Sequence, residues 1–386
     1  MIASNHFAEK SSGLASVMRL AYDRPVLVVG EGIGGLSVAF ELAHRGIAFK
    51  LIAPQQDTMT ASPCATGLSS MKGLLLPRQP LFELKFKGHH LLPYWIKRVE
   101  RASGKKVPVI HGQIYEPAWS QEEQQKISKR VFGGSFTGLL HYLKLAEKSE
   151  VDTLIAPNGF QYPGDYFYDP DALLLALRTY VRAKAEDWIE DRVKRLCHQG
   201  HSLSLELQGE SMVKGRSVVL CTGYGTQELL LASGLVGFES RLYGGETLRE
   251  EQIGANDDFL TSHSLIFGAA SLNIYPGFLS YGSSTWQTSL PYSSKLEDSL
   301  KVPNLLEELE ALERTGFVDA RAKLSSRPWK TRRGYRCLTK NRLPYIGPFL
   351  SKGDPRILIA AGFHKSGFTL APMAARQIAR MIAQKE

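Results

Sequence analysis

Residues 26–52 carry the pattern that most restricts how this chain folds. A continuous apolar run rich in β-branched valine, Val26 to Val29, leads into the turn Gly30-Glu31-Gly32-Ile33-Gly34-Gly35. Apolar residues then recur at helical spacing from Ile33 to Arg45, and a second apolar run follows from Phe49 to Pro54. An unbroken run of this kind predicts a parallel strand buried on both faces, and Gly46 predicts the helix end. Strand, tight turn, helix and strand together make a βαβ unit. In such a turn Gly30 permits the bend, Gly32 lets backbone approach a pyrophosphate, and Gly35 lets the helix close on the strand. The helix N-terminus then faces the phosphates. Three spaced glycines alone are a weak signal; the flanking strand and helix are what point to a dinucleotide.

One element of that fingerprint is absent. An acid usually ends the second strand and takes the ribose hydroxyls, but Ala53 stands near that place, with Gln55, Gln56 and Asp57 after it. The ribose is then left to an amide, to backbone groups, or to a looser contact.

A chain of 386 residues exceeds one small core and predicts two intimately connected domains. Buried-strand runs recur at Ser217 to Gly223 and Ile357 to Gly362, and helical spacing returns at Pro170 to Ala185 and Leu370 to Ile382. Residues from Gly244 to Trp286 favour strands. The reading is an α/β fold: a Rossmann-like nucleotide-binding domain with an inserted α+β, mainly antiparallel-sheet substrate domain. The expected boundaries are 25–80, 150–235 and 330–386 for the first, and 81–149 and 236–329 for the second. Residues 1–24 are expected to form an N-terminal extension, polar and interrupted rather than a signal peptide. No apolar run approaches the ~20 residues of a membrane span. The four cysteines are far apart and form no CxxC, which argues against zinc and suits a reducing cytoplasmic setting. A net charge of +9 admits an anionic partner. Basic residues gather at Lys126, Lys129 and Arg130, and again at Arg321, Lys323, Arg327, Lys330, Arg332 and Arg333. The plainer reading of both groups is a solvated face.

Three further segments bear on a flat cofactor. Small residues from Ala61 to Ser70 allow a ring system close to the backbone, with Ala61, Ser62, Ala65, Thr66 and Gly67 as candidate contacts. Thr222 and Gly223 follow a buried strand and turn toward the same nucleotide. Near the C-terminus, Gly362 ends a strand and a polar loop follows, with Lys365, Ser366, Gly367, Phe368 and Thr369 as candidate contacts. Ala371-Pro372 is expected to open the last helix, whose positive end suits the charge on a reduced flavin's pyrimidine edge.

With these pieces in order, from about Val26 to Ile382, the sequence resembles the D-amino-acid oxidase (DAO) superfamily of FAD-dependent oxidoreductases. Within it, GYRCLTKNRLPYIG and ILIAAGFHKSGFTLAP look like glycine oxidase, while GQIYEPAWSQEEQQKI and RCLTKNRLPYIG look like the FAD domain of MnmC, which acts on a modified uridine of tRNA. The resemblance implies FAD in a GR2-type domain and hydride transfer to flavin N5 from the carbon beside an amine. It places a carboxylate-gripping arginine at Arg336, a task suited to a guanidinium fork. Lys365 falls where glycine oxidase has an arginine. Asn273 falls where that family has a substrate-binding tyrosine, with Tyr275 on the same side of the strand. Arg336, Lys365 and Tyr275 are therefore the expected catalytic set. Cys337 is offset from the cysteine that anchors flavin in some relatives, which implies non-covalent FAD. The leading expectation is oxidation of a small amine or amino acid such as glycine, sarcosine or a D-amino acid. The alternatives are a tRNA-modifying enzyme and a flavin-binding protein without catalysis.

Overall fold

In the computed structural model, the described residues are 24–55, 59–70, 81–118, 120–132, 144–145, 159–199, 202–251, 262–267, 270–282, 285–288, 304–315, 318, 320–349 and 356–384. The expected extension, apart from Arg24, lies outside them, as do Gln56 and Asp57.

The valine-rich run forms the strand Val26–Val29 near the middle of a six-stranded sheet. It pairs in parallel with Phe49–Ile52 on one side and Ser217–Leu220 on the other. Asp187–Ile189 and Ile357–Ala361 extend the parallel order outward, and Tyr345–Pro348 adds an antiparallel edge. Alternation along each strand divides the side chains between two cores, as period-2 geometry requires. Val26, Val28, Leu51, Val219, Leu358 and Ala360 face the helices Ile33–His44, Phe82–Ser103, Pro170–Lys184 and Gly367–Ala383. Leu27, Val29, Ile52, Val218, Leu220 and Ile359 face a three-stranded antiparallel sheet and the short helix Thr226–Ala232. Burial on both faces explains why Val26–Val29 and Ile357–Ala361 are apolar throughout.

The long helix Phe82–Ser103 buries Leu92, Trp95, Ile96 and Val99 in the first of those cores. It ends at Gly104, which adopts φ 69° and donates to the Glu100 carbonyl at 2.8 Å, a left-handed C-terminal cap.

A nine-stranded, mainly antiparallel sheet forms the second layer system. Its longest ladder pairs Ser240–Glu250 with Lys330–Thr339, in a register running from Ser240 opposite Thr339 to Arg249 opposite Lys330. That register sets Arg336 opposite Tyr243. Two single bridges, Thr60 with Tyr335 and Leu338 with Phe363, tie this ladder to the loops of the six-stranded sheet.

The C-terminal helix differs from its sequence expectation. It begins at Gly367, with Ser366 as N-cap, and Pro372 lies inside it rather than at its start. Proline lacks an N–H, so the Phe368 carbonyl loses its intrahelical donor. Burial of Phe368, Leu370 and Ala371 holds this first turn in helical form regardless.

Candidate active site

The parallel strands deliver their carboxyl ends to one cleft of about 770 Å³, within the ~300–1,000 Å³ usual for cofactor sites. Open α/β sheets place ligands at this edge. The first helix begins there at Gly32, which has no side chain of its own to cap it. One of its free N–H groups, on Ile33, donates to Ser62 Oγ at 3.0 Å. The neighbouring N-terminal donors suit a phosphate.

Sterics account for two of the glycines. Gly30 sits at φ +104°, and a Cβ there would lie 2.6 Å from the Cys221 carbonyl oxygen. At Gly35 a Cβ would lie 1.8 Å from the oxygen of Gly30, so the helix can start this close to the strand only without a side chain. Across the cleft, Gly223 and Gly225 have open space on their side-chain sides. A cleft bordered by these glycines, with a helix start at one end, fits the pyrophosphate and ring system of FAD.

Of the residues expected around the cofactor, Gly30, Gly32, Ile33 and Gly34 line the cleft from the turn. Ala61 and Ser62 line it from the small-residue loop, Thr222 and Gly223 from the central strand, and Gly362 and Gly367 from the C-terminal segment. Gly35, Ala65, Thr66, Gly67, Lys365, Ser366, Phe368 and Thr369 are not part of that wall. Phe368 instead joins the core beside Tyr168, with ring centroids 5.9 Å apart. Ala53 and Gln55 both border the cleft.

Arg336 also lines the cleft, half-buried, and its Nη2 donates to the Gly244 carbonyl at 3.4 Å and to Thr285 Oγ1 at 3.1 Å. Desolvation lowers its pKa to about 10, which leaves it charged at neutral pH. Lys365 is exposed, yet desolvation by surrounding protein and then Arg336 bring its ammonium down to about 8. His364, which both cations act on, is a cleft residue with φ 51° and a buried Nε2 that has no hydrogen-bond partner. Its ring meets Tyr243 edge-on at 5.0 Å. Desolvation first, then Arg336, Lys365, Lys85 and Arg342, lower its pKa to about 4. His364 was not among the sequence candidates, although it lies beside Lys365 in the same C-terminal motif. Its conformation, unusual for a residue with a Cβ, has no local sequence mark.

Tyr275 is not at the cleft wall. It is 1% exposed, stacked on Phe278, and its hydroxyl is directed at the carbonyls of Thr66 (2.7 Å) and Tyr168 (2.8 Å). Asn273 is likewise buried, accepting from Ser264 Oγ and donating to Ser271 Oγ and the Thr66 carbonyl. Both tie the small-residue loop to the large sheet. Cys337 is buried with its thiol directed at the Gly223 carbonyl, and desolvation raises it to about 11.

The second basic group is largely compensated. Arg327 pairs with Glu250, Lys330 with Glu251, Arg332 with Asp171 and Glu251, and Arg333 with Glu246. In the first group, Lys126 pairs with Glu122 one helical turn away. Among the described residues no helix is long and apolar enough to cross a membrane, and no cluster of His, Cys, Asp or Glu suits a metal.

Comparison with known proteins agrees with this architecture. The chain is 22% identical over 380 residues to the bifunctional protein ThiO/ThiG of Nostoc sp., covering 94% of this chain but only 53% of that protein. It thus spans about half the length of that relative. Glycine oxidase of Geobacillus kaustophilus is 22% identical over 384 residues, covering 94% and 93% of the two chains. The crystal structure of that species' glycine oxidase superposes with a TM-score of 0.75 at 19% identity, over 94% of this chain and 95% of the other. Iminodiacetate oxidase from Chelativorans sp. BNC1 gives a TM-score of 0.75 at 15% identity, over 93% and 95%. The family model for FAD dependent oxidoreductases, DAO, matches residues 25–381. The chain therefore belongs to the DAO family of FAD-dependent oxidoreductases.

Proposed function

We propose that this oxidoreductase acts on the carbon–nitrogen bond of a small, glycine-like amino acid or amine. The observation that carries the reading is Arg336, a desolvated guanidinium at the cleft wall with Lys365 and His364 near it. Such a group binds a carboxylate through paired, charge-assisted hydrogen bonds. The turn Gly30 to Gly35 and the segments after Ala61, Thr222 and Gly362 would hold FAD non-covalently, and FAD would supply the two-electron acceptor for oxidation of the carbon–nitrogen bond. The substrate is left as an imine, which water hydrolyses.

Arg336 orients the substrate by its carboxylate, and Lys365 adds positive charge without a fork. His364, neutral at pH 7, offers a hydrogen-bonding ring at the same end. No strong base is needed, because the amine has only to be neutral and correctly placed. Tyr275 and Asn273 act as positioning residues that hold the loop around Thr66. The cofactor unit is proposed to include the helix Phe82–Ser103, whose apolar face completes its core. A tRNA substrate ranks second, since the basic group at Arg327 to Arg333 is engaged with acids.

The test is anaerobic bleaching of the bound flavin by glycine, sarcosine, iminodiacetate and D-amino acids. Bleaching by at least one of these is expected, and bleaching only by undermodified tRNA would transfer the assignment. A flavin that no amine reduces would mark a binding protein. Arg336→Ala should raise KM for a carboxylate substrate by roughly ten- to hundredfold, from the ~1.5–3 kcal/mol of a charged hydrogen bond. An unchanged KM refutes its role.

A further inference from the structure

The acid missing after the second strand has a candidate replacement inside the glycine turn. Glu31 occupies the variable place between Gly30 and Gly32, and its side chain lines the cleft at 28% exposure. Its Oε1 lies 3.3 Å from Nη2 of Arg178, another cleft residue, on the helix Pro170–Lys184. Glu190 and Arg182 also act on it electrostatically, and Glu190 directly follows the strand that pairs with Phe49–Ile52. Ala53, Pro54 and Gln55, which follow the second strand, border the same cleft as Glu31. In a dinucleotide fold, the end of that strand is the ribose side.

Position alone makes Glu31 a problem to be explained. An anion in a turn built for pyrophosphate repels the ligand unless it faces something else. Arg178 offsets part of that charge and fixes the direction of the carboxylate. Desolvation raises the Glu31 pKa from its usual value, with Arg178 acting in the opposite sense, as expected for an acid drawn partly out of water against a cation.

We propose that Glu31, braced by Arg178, accepts hydrogen bonds from the adenosine ribose hydroxyls of FAD in place of an acid at the end of the second strand. Arg178 is the positioning residue and Glu31 the contact. Because this concerns the cofactor alone, it stands or falls independently of which amine is oxidised.

The experiment titrates full-length protein, stripped of flavin, with FAD and with analogues whose adenosine lacks the 2′- or 3′-hydroxyl. Quenching of flavin fluorescence reports Kd. Wild-type protein should favour FAD over at least one deoxy analogue by roughly ten- to hundredfold, the range of hydrogen bonds to a charged group. Glu31→Ala should weaken FAD by a similar factor and abolish the preference. Glu31→Gln should weaken FAD less, and Arg178→Met should weaken it while keeping part of the preference.

Three results would overturn the proposal. The first is equal affinity of wild type for FAD and both deoxy analogues, which needs no variant to fold. The second is a preference that survives in Glu31→Gln or Glu31→Ala at full strength, which would assign the ribose to another group. The third is tighter FAD binding by Glu31→Gln, the signature of a carboxylate that faces the pyrophosphate.

Discussion

Tyr275 shows how one side chain is read differently from sequence and from space. Its place near the family's substrate tyrosine suggested contact with substrate, yet its hydroxyl lies against the carbonyls of Thr66 and Tyr168 and burial raises its pKa well above the usual value. Tyr275→Phe takes this donor from the buried Tyr168 carbonyl and leaves the Thr66 carbonyl to Asn273, which costs about 1–3 kcal/mol. The variant should therefore lose stability in chemical denaturation while KM stays within roughly threefold. A large rise in KM at unchanged stability would return Tyr275 to the substrate. The contrast with Arg336 is physical. Arg336 is singled out by its match to a contiguous family motif, whereas the direction of a phenol depends on which carbonyls the fold brings within reach.

Among the elements, the helices Phe82–Ser103 and Gly367–Ala383 pack in close backbone contact. Gly88 lies so close to the second helix that a Cβ would approach the Thr369 carbonyl oxygen to 2.4 Å. On helix propensity alone, Gly88→Ala stabilises by up to about 1 kcal/mol. Overpacking at a rigid backbone neighbour costs about 1–3 kcal/mol. The net effect is expected to be destabilising, with weaker FAD retention as the first turn of the last helix shifts. A higher melting temperature in this variant would show that the helices are not in close contact. The start of that last helix also marks where local signals fail: Pro372 reads as an opening residue, but tertiary burial of Phe368 and Ala371 extends the helix back to Gly367. Helix Ile33–His44 and the parallel strands were legible because their apolar spacing is contained in contiguous residues.

For the whole molecule, pH dependence follows from two histidines held neutral. His89 has its Nδ1 2.9 Å from Ser69 Oγ and its Nε2 3.0 Å from the Gly164 carbonyl, and desolvation lowers its pKa to about 4. His364 is lowered to about 4 as well. Both titrate near 6.5 in an unfolded chain, so the unfolded state takes up protons first as pH falls. Their contribution to stability is intact above about pH 6.5 and is lost progressively toward pH 4. Thermal melts at pH 7.5, 6 and 5 should show this decline, and His89→Gln should reduce its slope. An unchanged slope would mean that His89 is not buried as a neutral ring. The wider division of information follows the same logic. Glycine spacing and apolar runs encode the βαβ start, and with it the cofactor class, because backbone sterics and side-chain periodicity act over a few neighbouring residues. The register that sets Arg336 opposite Tyr243, the approach of Arg336 and Lys85 to His364, and the neutralisation of the basic group by Glu246, Glu250 and Glu251 arise between segments far apart in the chain. Coulombic and packing energies depend on distance in space, and that distance exists only once the sheets have assembled.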